Sequence, residues 1–197
     1  MVTDLSARNF GVVIAFLIPG FVTLWGVSLF SPTVDQWLHS SAQTSPTVAG
    51  FLYVTLASLA AGLTVSAVRW AVIDTLHHAT GIKPPTWDFT QLDDRLHGFL
   101  ALVENHYRYY QFYANMAVAV SATYSAKVLA ESANQCQPVW QHLGFVLLEV
   151  VFLAGSRDSL RKYYRRVEQL LPGSRIERNQ SHDERFSCSE TTVEHEE

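Results

Sequence analysis

Glu149 is the residue whose position in this chain most needs a chemical reason. It stands inside "PVWQHLGFVLLEVVFLAGS", Pro138 to Ser156, where no other Asp, Glu, Lys or Arg occurs. About 20 mostly apolar residues suffice to cross a bilayer, and an ionisable group within such a stretch is costly and faces a bundle interior or water. Glu149 is seven residues from Ser156, which sets it about 10 Å above that end of the stretch. Asn115 is seven residues from Arg108, inside "YYQFYANMAVAVSATYSA" (Tyr109 to Ala126). Equal spacing predicts the two at one depth on neighbouring helices. They could be a hydrogen bond that glues helices together or the polar part of an ion or proton path.

A second constellation holds Asp74, His77, His78, His97, Glu104 and His106. Helical rise puts Asp74 and His77 about 8 and 12 Å beyond Arg69, and Glu104 about 6 Å before Arg108 on an antiparallel helix. Asp74 and Glu104 could therefore meet. Asp74, His77 and Glu104 are candidate metal ligands by donor type, but no i, i+4 His pair and no Glu-x-x-His repeat accompanies them. Hydrogen-bonded side chains in a wet helical stalk explain the same residues. Glu104, His106, Arg108, Tyr109 and Tyr110 open the third feature, "ENHYRYYQFYAN". We read it as the point where a helix enters the membrane, with tyrosine hydroxyls near water. One rigid helix would then couple the stalk to the level of Asn115.

Other chemistry is excluded or weak. The chain has no G-x-S-x-G, P-loop, G-x-G-x-x-G or H-E-x-x-H pattern, so neither an enzyme nor a bound cofactor is expected. Cys136 and Cys188 show no zinc spacing. A net charge of −4 with an acidic terminal segment argues against nucleic acid.

These residues need elements to hold them. Of the 197 residues, 48% are hydrophobic and 16% charged, against about 25% charged in soluble domains. Charge is absent from 10 to 34, between Asp35 and Arg69, between Arg108 and Lys127, and between Glu131 and Glu149. We therefore expect an all-α fold with four transmembrane helices, at about 10–30, 47–68, 109–126 and 138–156. The alternatives are a soluble bundle of four buried helices, which the mean hydropathy of +0.08 permits, and a cleaved signal peptide at the first stretch. That first uncharged run exceeds the apolar core of a signal peptide, about 7–15 residues, and the first two stretches are apolar on all faces.

The positive-inside rule agrees with four spans. With both termini cytoplasmic, 13 Lys and Arg lie inside and only Lys127 outside. Helical patterning continues past the membrane in helices two to four, which predicts a cytoplasmic bundle. The membrane unit is 1–173, and 174–197 reads as a disordered acidic tail. Pro19-Gly20 predicts a bend or hinge. Ala57, Ser58, Ala61, Gly62 and Ser66 predict close helix packing. Arg157, Arg161, Lys162, Arg165 and Arg166 suit anionic lipid.

In general look the chain resembles small multi-pass proteins of bacterial inner membranes, a class that includes membrane effectors of defence systems. The resemblance covers the four stretches and rests on no diagnostic motif. The function expected is a homo-oligomer forming or gating an ion or small-solute path. The alternative is a non-conducting anchor or sensor whose cytoplasmic bundle binds a protein partner.

Overall fold

Proline, glycine and apolar runs divide this chain into helices. The computed structural model describes residues 11, 13–43, 48–85, 87, 89–131 and 138–172, and among these every regular element is helical. Arg8, Cys136, Cys188 and the 174–197 segment lie outside the described residues.

Helix α1 starts as a π turn, Val13–Leu17, and continues as Ile18–Ser28. Pro19 has no N–H and cannot bond the carbonyl of Ala15, and a wider turn at that point absorbs the mismatch. Helix α2 is Pro32–Gln43, with proline at its start and Asp35 in its first turn. The Val34 N–H donates to Ser31 Oγ at 3.4 Å. The polar composition of α2 carries no span signal, and the helix is marked instead by its starting proline.

Helix α3 runs through Val48–Arg69, a π turn at Trp70–Asp74, and Thr75–Ala79. It ends in a Schellman motif. The Ile82 N–H donates to the His77 carbonyl at 3.0 Å and the Gly81 N–H to His78 at 3.2 Å. Gly81 has φ +93°, which needs glycine, and Ile82 closes the motif from a buried position. Helix α4 follows a short 3₁₀ turn, Phe89–Gln91, as Leu92–Leu102, a π turn Val103–Tyr107, and Arg108–Glu131. Helix α5, Val139–Leu170, has 32 residues and is therefore about 48 Å long.

The second half of α4 is the centre of the molecule. Its Tyr110, Gln111, Ala114, Asn115, Met116, Ala117 and Ala119 are all buried. Helices α1 and α3 cross against it, and α5 lies antiparallel along it. The α1–α3 crossing is backbone against backbone: a Cβ on Gly20 would stand 1.7 Å from the Ser58 carbonyl oxygen, and one on Gly62 would stand 2.0 Å from that of Phe16. Ser58 and Gly62 are buried in this contact, and Ala57, Ala61 and Ser66 flank it half-buried. Pro19-Gly20 therefore sits where there is no free space, as a packing point.

The apolar surface is turned outward. Phe51, Leu56, Leu63, Val146, Leu147 and Val150 are exposed, while Ser58, Gln111, Asn115 and Ser156 are buried. Two helices are long and apolar enough to cross a membrane, Gly50–Ala79 and Val139–Leu170, and Val13–Ser28 is apolar but shorter. Only 17% and 6% of the most apolar windows of the two long helices are buried. A core helix of a soluble protein would bury that surface. Length and composition thus pick out two of the four expected spans.

Beyond this region the pattern reverses. Tyr163, Val167 and Leu171 of α5 are buried against Leu92, Phe99, Leu102 and Tyr107 of α4, with Trp87 closing one side. The Arg95 guanidinium donates to the Leu170 carbonyl at the end of α5, where a cation is favoured.

Candidate functional site

His142, Glu149 and Ser156 stand seven residues apart on α5. A seven-residue repeat drifts only about 20° per step around a straight helix, so the three share one face. Each meets a polar partner. The Tyr124 hydroxyl hydrogen-bonds His142 Nδ1. Ser121 Oγ donates to Glu149 Oε1 at 3.0 Å. His77 Nε2 lies 3.0 Å from Ser156 Oγ. Past His142, Lys127 Nζ donates to Gln141 Oε1 at 3.3 Å and pairs with Glu131 at 4.0 Å.

Between Glu149 and Ser156 the seam is aromatic. Phe152 meets Phe112 edge-on at 6.4 Å and Tyr113 at 6.5 Å between ring centroids. Gly155 lets Tyr113 lie against α5; a Cβ there would be 3.2 Å from the ring. Two polar stretches are thus separated by an aromatic block.

Asn115 and Glu149 do not pair. Asn115 Nδ2 donates to the Ala15 carbonyl at 2.7 Å, the group that Pro19 leaves without its helical donor. Glu149 meets Ser121, nearly two turns further along α4. The contacts Ser121–Glu149, Tyr124–Phe145 and Tyr107–Tyr163 define the register. In it Arg108 lies opposite the turn after Arg157, so the charged ends do not mark equal depth.

Magnitudes separate the two polar groups. The Asn115–Ala15 amide–carbonyl hydrogen bond contributes about 1 kcal/mol, though Asn115 Oδ1 stays buried with no hydrogen-bond partner among the described residues. A charged group at mid-span costs about 3 kcal/mol, and one interhelical hydrogen bond returns about 0.6 kcal/mol. Ser121 alone does not offset an ionised carboxyl in an apolar medium, so a carboxyl placed as Glu149 is there is either neutral or met by further polar contact.

At the inner end of the seam, Arg69, Asp74, His77 and Tyr110 form a buried cluster. The Tyr110 hydroxyl donates to Asp74 Oδ1, Arg69 Nη1 lies 3.6 Å from the same oxygen, and the guanidinium sits 5.2 Å above the Tyr110 ring. The π turn between Arg69 and Asp74 brings both to one side. Ser156 Oγ donates its single proton to the Leu153 carbonyl at 2.9 Å. It must therefore accept from His77, which assigns the proton to Nε2 and leaves a lone pair on Nδ1. That Nδ1 is buried with no hydrogen-bond partner among the described residues. Burial, then the charge of Arg157, holds the His77 pKa below its usual value, against the pull of Asp74.

The candidate metal ligands Asp74, His77 and Glu104 are not brought together as a set of three. Asp74 meets Tyr110 and Arg69, His77 meets Ser156 through Nε2, and no group of three His, Cys, Asp or Glu gathers among the described residues. Asp74 thus turns to Tyr110 and not to Glu104, because the π turn rotates it inward.

The "ENHYRYYQFYAN" stretch splits by face. Tyr109 is exposed, but Tyr110 is 1% exposed and its hydroxyl is spent on Asp74, so it is no interfacial anchor. Arg108 Nη1 donates to Gln111 at 3.2 Å. Glu104 and His106 lie half-buried on the π turn, and His106 Nε2 accepts from Arg166. Burial and the charges of Arg166 and Lys162 lower the His106 pKa. Of the basic run, Arg157 bonds the Thr80 carbonyl at 2.9 Å and Lys162 pairs with Asp158 at 2.6 Å. Arg161 and Arg165 are exposed.

Comparison with protein-family models, curated proteins and solved structures finds no match. The site therefore rests on its own geometry. Sequence reasoning found Glu149 but missed Ser121, Tyr124 and the link to His142 and Ser156; the seven-residue spacing on α5 was the available signal. Arg69 carried none, since its burial depends on the α3 π turn.

Proposed function

We propose that this protein is a four-span integral membrane protein that forms or gates a path for ions or small solutes along the α4–α5 seam. The observation that carries the reading is the polar face of α5. His142, Glu149 and Ser156 each meet a polar partner on a helix whose other faces are apolar and exposed. In this reading the spans are α1, the first part of α3, the second part of α4 and the first part of α5. Both termini are cytoplasmic, in a bacterial inner membrane, with anionic lipid around Arg161 and Arg165. A homo-oligomer would give Glu149 further polar cover.

Two measurements test it. An impermeant thiol reagent on intact cells should label Cys136 and spare Cys188; the reverse labelling overturns the topology. Purified protein in phosphatidylcholine–phosphatidylglycerol vesicles should pass ions, and a monomer in detergent with silent vesicles sinks the path.

The second reading is a non-conducting anchor or sensor. The aromatic stalk of α4 and α5, tied to α3 through Arg69, Asp74 and Tyr110, favours it as a rigid connection between the membrane and a cytoplasmic partner. Silent vesicles together with a stoichiometric cytosolic partner would support it.

A further inference from the structure

We infer that the α4–α5 seam carries protons, with Glu149 as the group that holds the proton inside the membrane, His142 as its outer entry and His77 as its inner exit. The inference rests on the path reading and names its permeant species.

Three observations point to the proton. The first is that the polar groups are single and spaced. Glu149 has Ser121 as its partner, and His142 and Ser156 stand seven residues to either side of it, about 10 Å each way. A metal cation sheds its water only where several ligands replace it, and no group of three His, Cys, Asp or Glu gathers among the described residues. A proton needs only one titratable atom at a time, with water bridging the gaps.

The second observation is that both ends are built for the transfer. His142 is exposed and its Nδ1 is bonded to the Tyr124 hydroxyl, so it can exchange with outside water. At the inner end the hydrogen-bond network leaves His77 Nδ1 a bare lone pair, which is a proton acceptor in waiting. The third is the block of Phe112, Tyr113 and Phe152 between them. An open water column would leak; an aromatic block passes protons only when its rings turn.

The transfers balance without a co-reactant. In the tautomer whose Nδ1–H donates to the Tyr124 oxygen, His142 Nε2 is free; a proton from outside water binds there and moves through water to the Glu149 carboxylate, forming an O–H bond as an N–H bond breaks. When the rings turn, Glu149 gives the proton through water to His77 Nδ1 and returns to carboxylate. His77 is 3% exposed, so the same movement must admit inside water to it before it gives up a proton. Along α4 the groups nearest Glu149 are Ser121, with Tyr124 and Lys127 further out. Around His77 stand Asp74, Arg69 and His78 on α3, Tyr110 on α4 and Arg157 on α5.

The test uses the full chain in phosphatidylcholine–phosphatidylglycerol vesicles with a pH dye inside and a potassium gradient set by valinomycin. The wild type should acidify or alkalinise the lumen with the sign of the potential. Glu149→Gln should reduce this to the rate of empty vesicles, and Glu149→Asp should restore much of it, which separates loss of the carboxyl from misfolding. Phe152→Ala should raise the rate by opening the block. Proton flux unchanged in Glu149→Gln, with sodium passing in vesicles without valinomycin, overturns the proton assignment and leaves the path. No flux of any ion from the wild type overturns both.

Discussion

Two of the helix contacts in this molecule are made of opposite materials. The α1–α3 crossing is backbone on backbone: Gly20 and Gly62 leave no space in which a side chain could stand. The α4–α5 seam is side chain on side chain, with hydroxyls, imidazoles, a carboxyl and aromatic rings in turn. A contact without side chains has no alternative rotamer and no titratable atom, so it can only hold. A contact of long and ionisable side chains can change rotamer or charge at small cost. The difference separates scaffold from candidate machinery more clearly than burial does, since both contacts contain buried polar groups.

The largest effect should come from putting a side chain where none fits. Gly20→Val is expected to cost upwards of about 3 kcal/mol, because its Cβ would fall 1.7 Å from the Ser58 carbonyl oxygen. Thermal unfolding in detergent reads this. A variant as stable as wild type would mean that α1 and α3 do not cross there.

Asn115→Leu should come next. It strips the donor from the Ala15 carbonyl at an expected cost of about 1–3 kcal/mol. Pro19→Ala gives that carbonyl back a backbone N–H, so Asn115→Leu should cost less in the Pro19→Ala background. A strictly additive double-mutant cycle would break the link between the two residues.

Acid should weaken the inner end of the seam by a smaller amount. The folded pKa of His77 is lowered, so the unfolded chain takes up the proton first. The contribution is full above about pH 6.5 and declines as pH falls below that value. His77→Gln should flatten the stability profile on the acid side of pH 6.5; an unchanged slope would remove His77 as its source. His106 acts in the same sense, and its exposure makes its share smaller.

The smallest effect is expected at Gly144 on the outer part of α5, where a Cβ meets nothing within 4 Å. Gly144→Ala should stay within about 1 kcal/mol of wild type, in the stabilising direction. A large loss would place an unseen neighbour, such as a second subunit, against that face.

Much of the helical layout could be read from residue types. Gly81 stops α3, Pro84 and Pro85 keep the connector out of helix, and unbroken apolar runs make α3 and α5. The candidate acid was visible for the same reason, since a lone carboxyl in an apolar run stands out. Its partner was not. Choosing Asn115 rested on counting from charged ends, and those counts carry no information on how two helices slide past each other.

The sequence by itself determined that this chain is helical, that its charges are confined to the ends of apolar stretches, and that α5 carries His142, Glu149 and Ser156 on one face. Those properties follow from local rules: chain stiffness, the 3.6-residue period and the cost of charge in an apolar run. Only the tertiary structure decided that Glu149 meets Ser121, that Asn115 serves the carbonyl freed by Pro19, and that Arg69 is buried against Tyr110. Each of these depends on register and on the π turns at Trp70–Asp74 and Val103–Tyr107. One added residue in a turn rotates every later side chain by about 100°, and its cause is packing between distant segments.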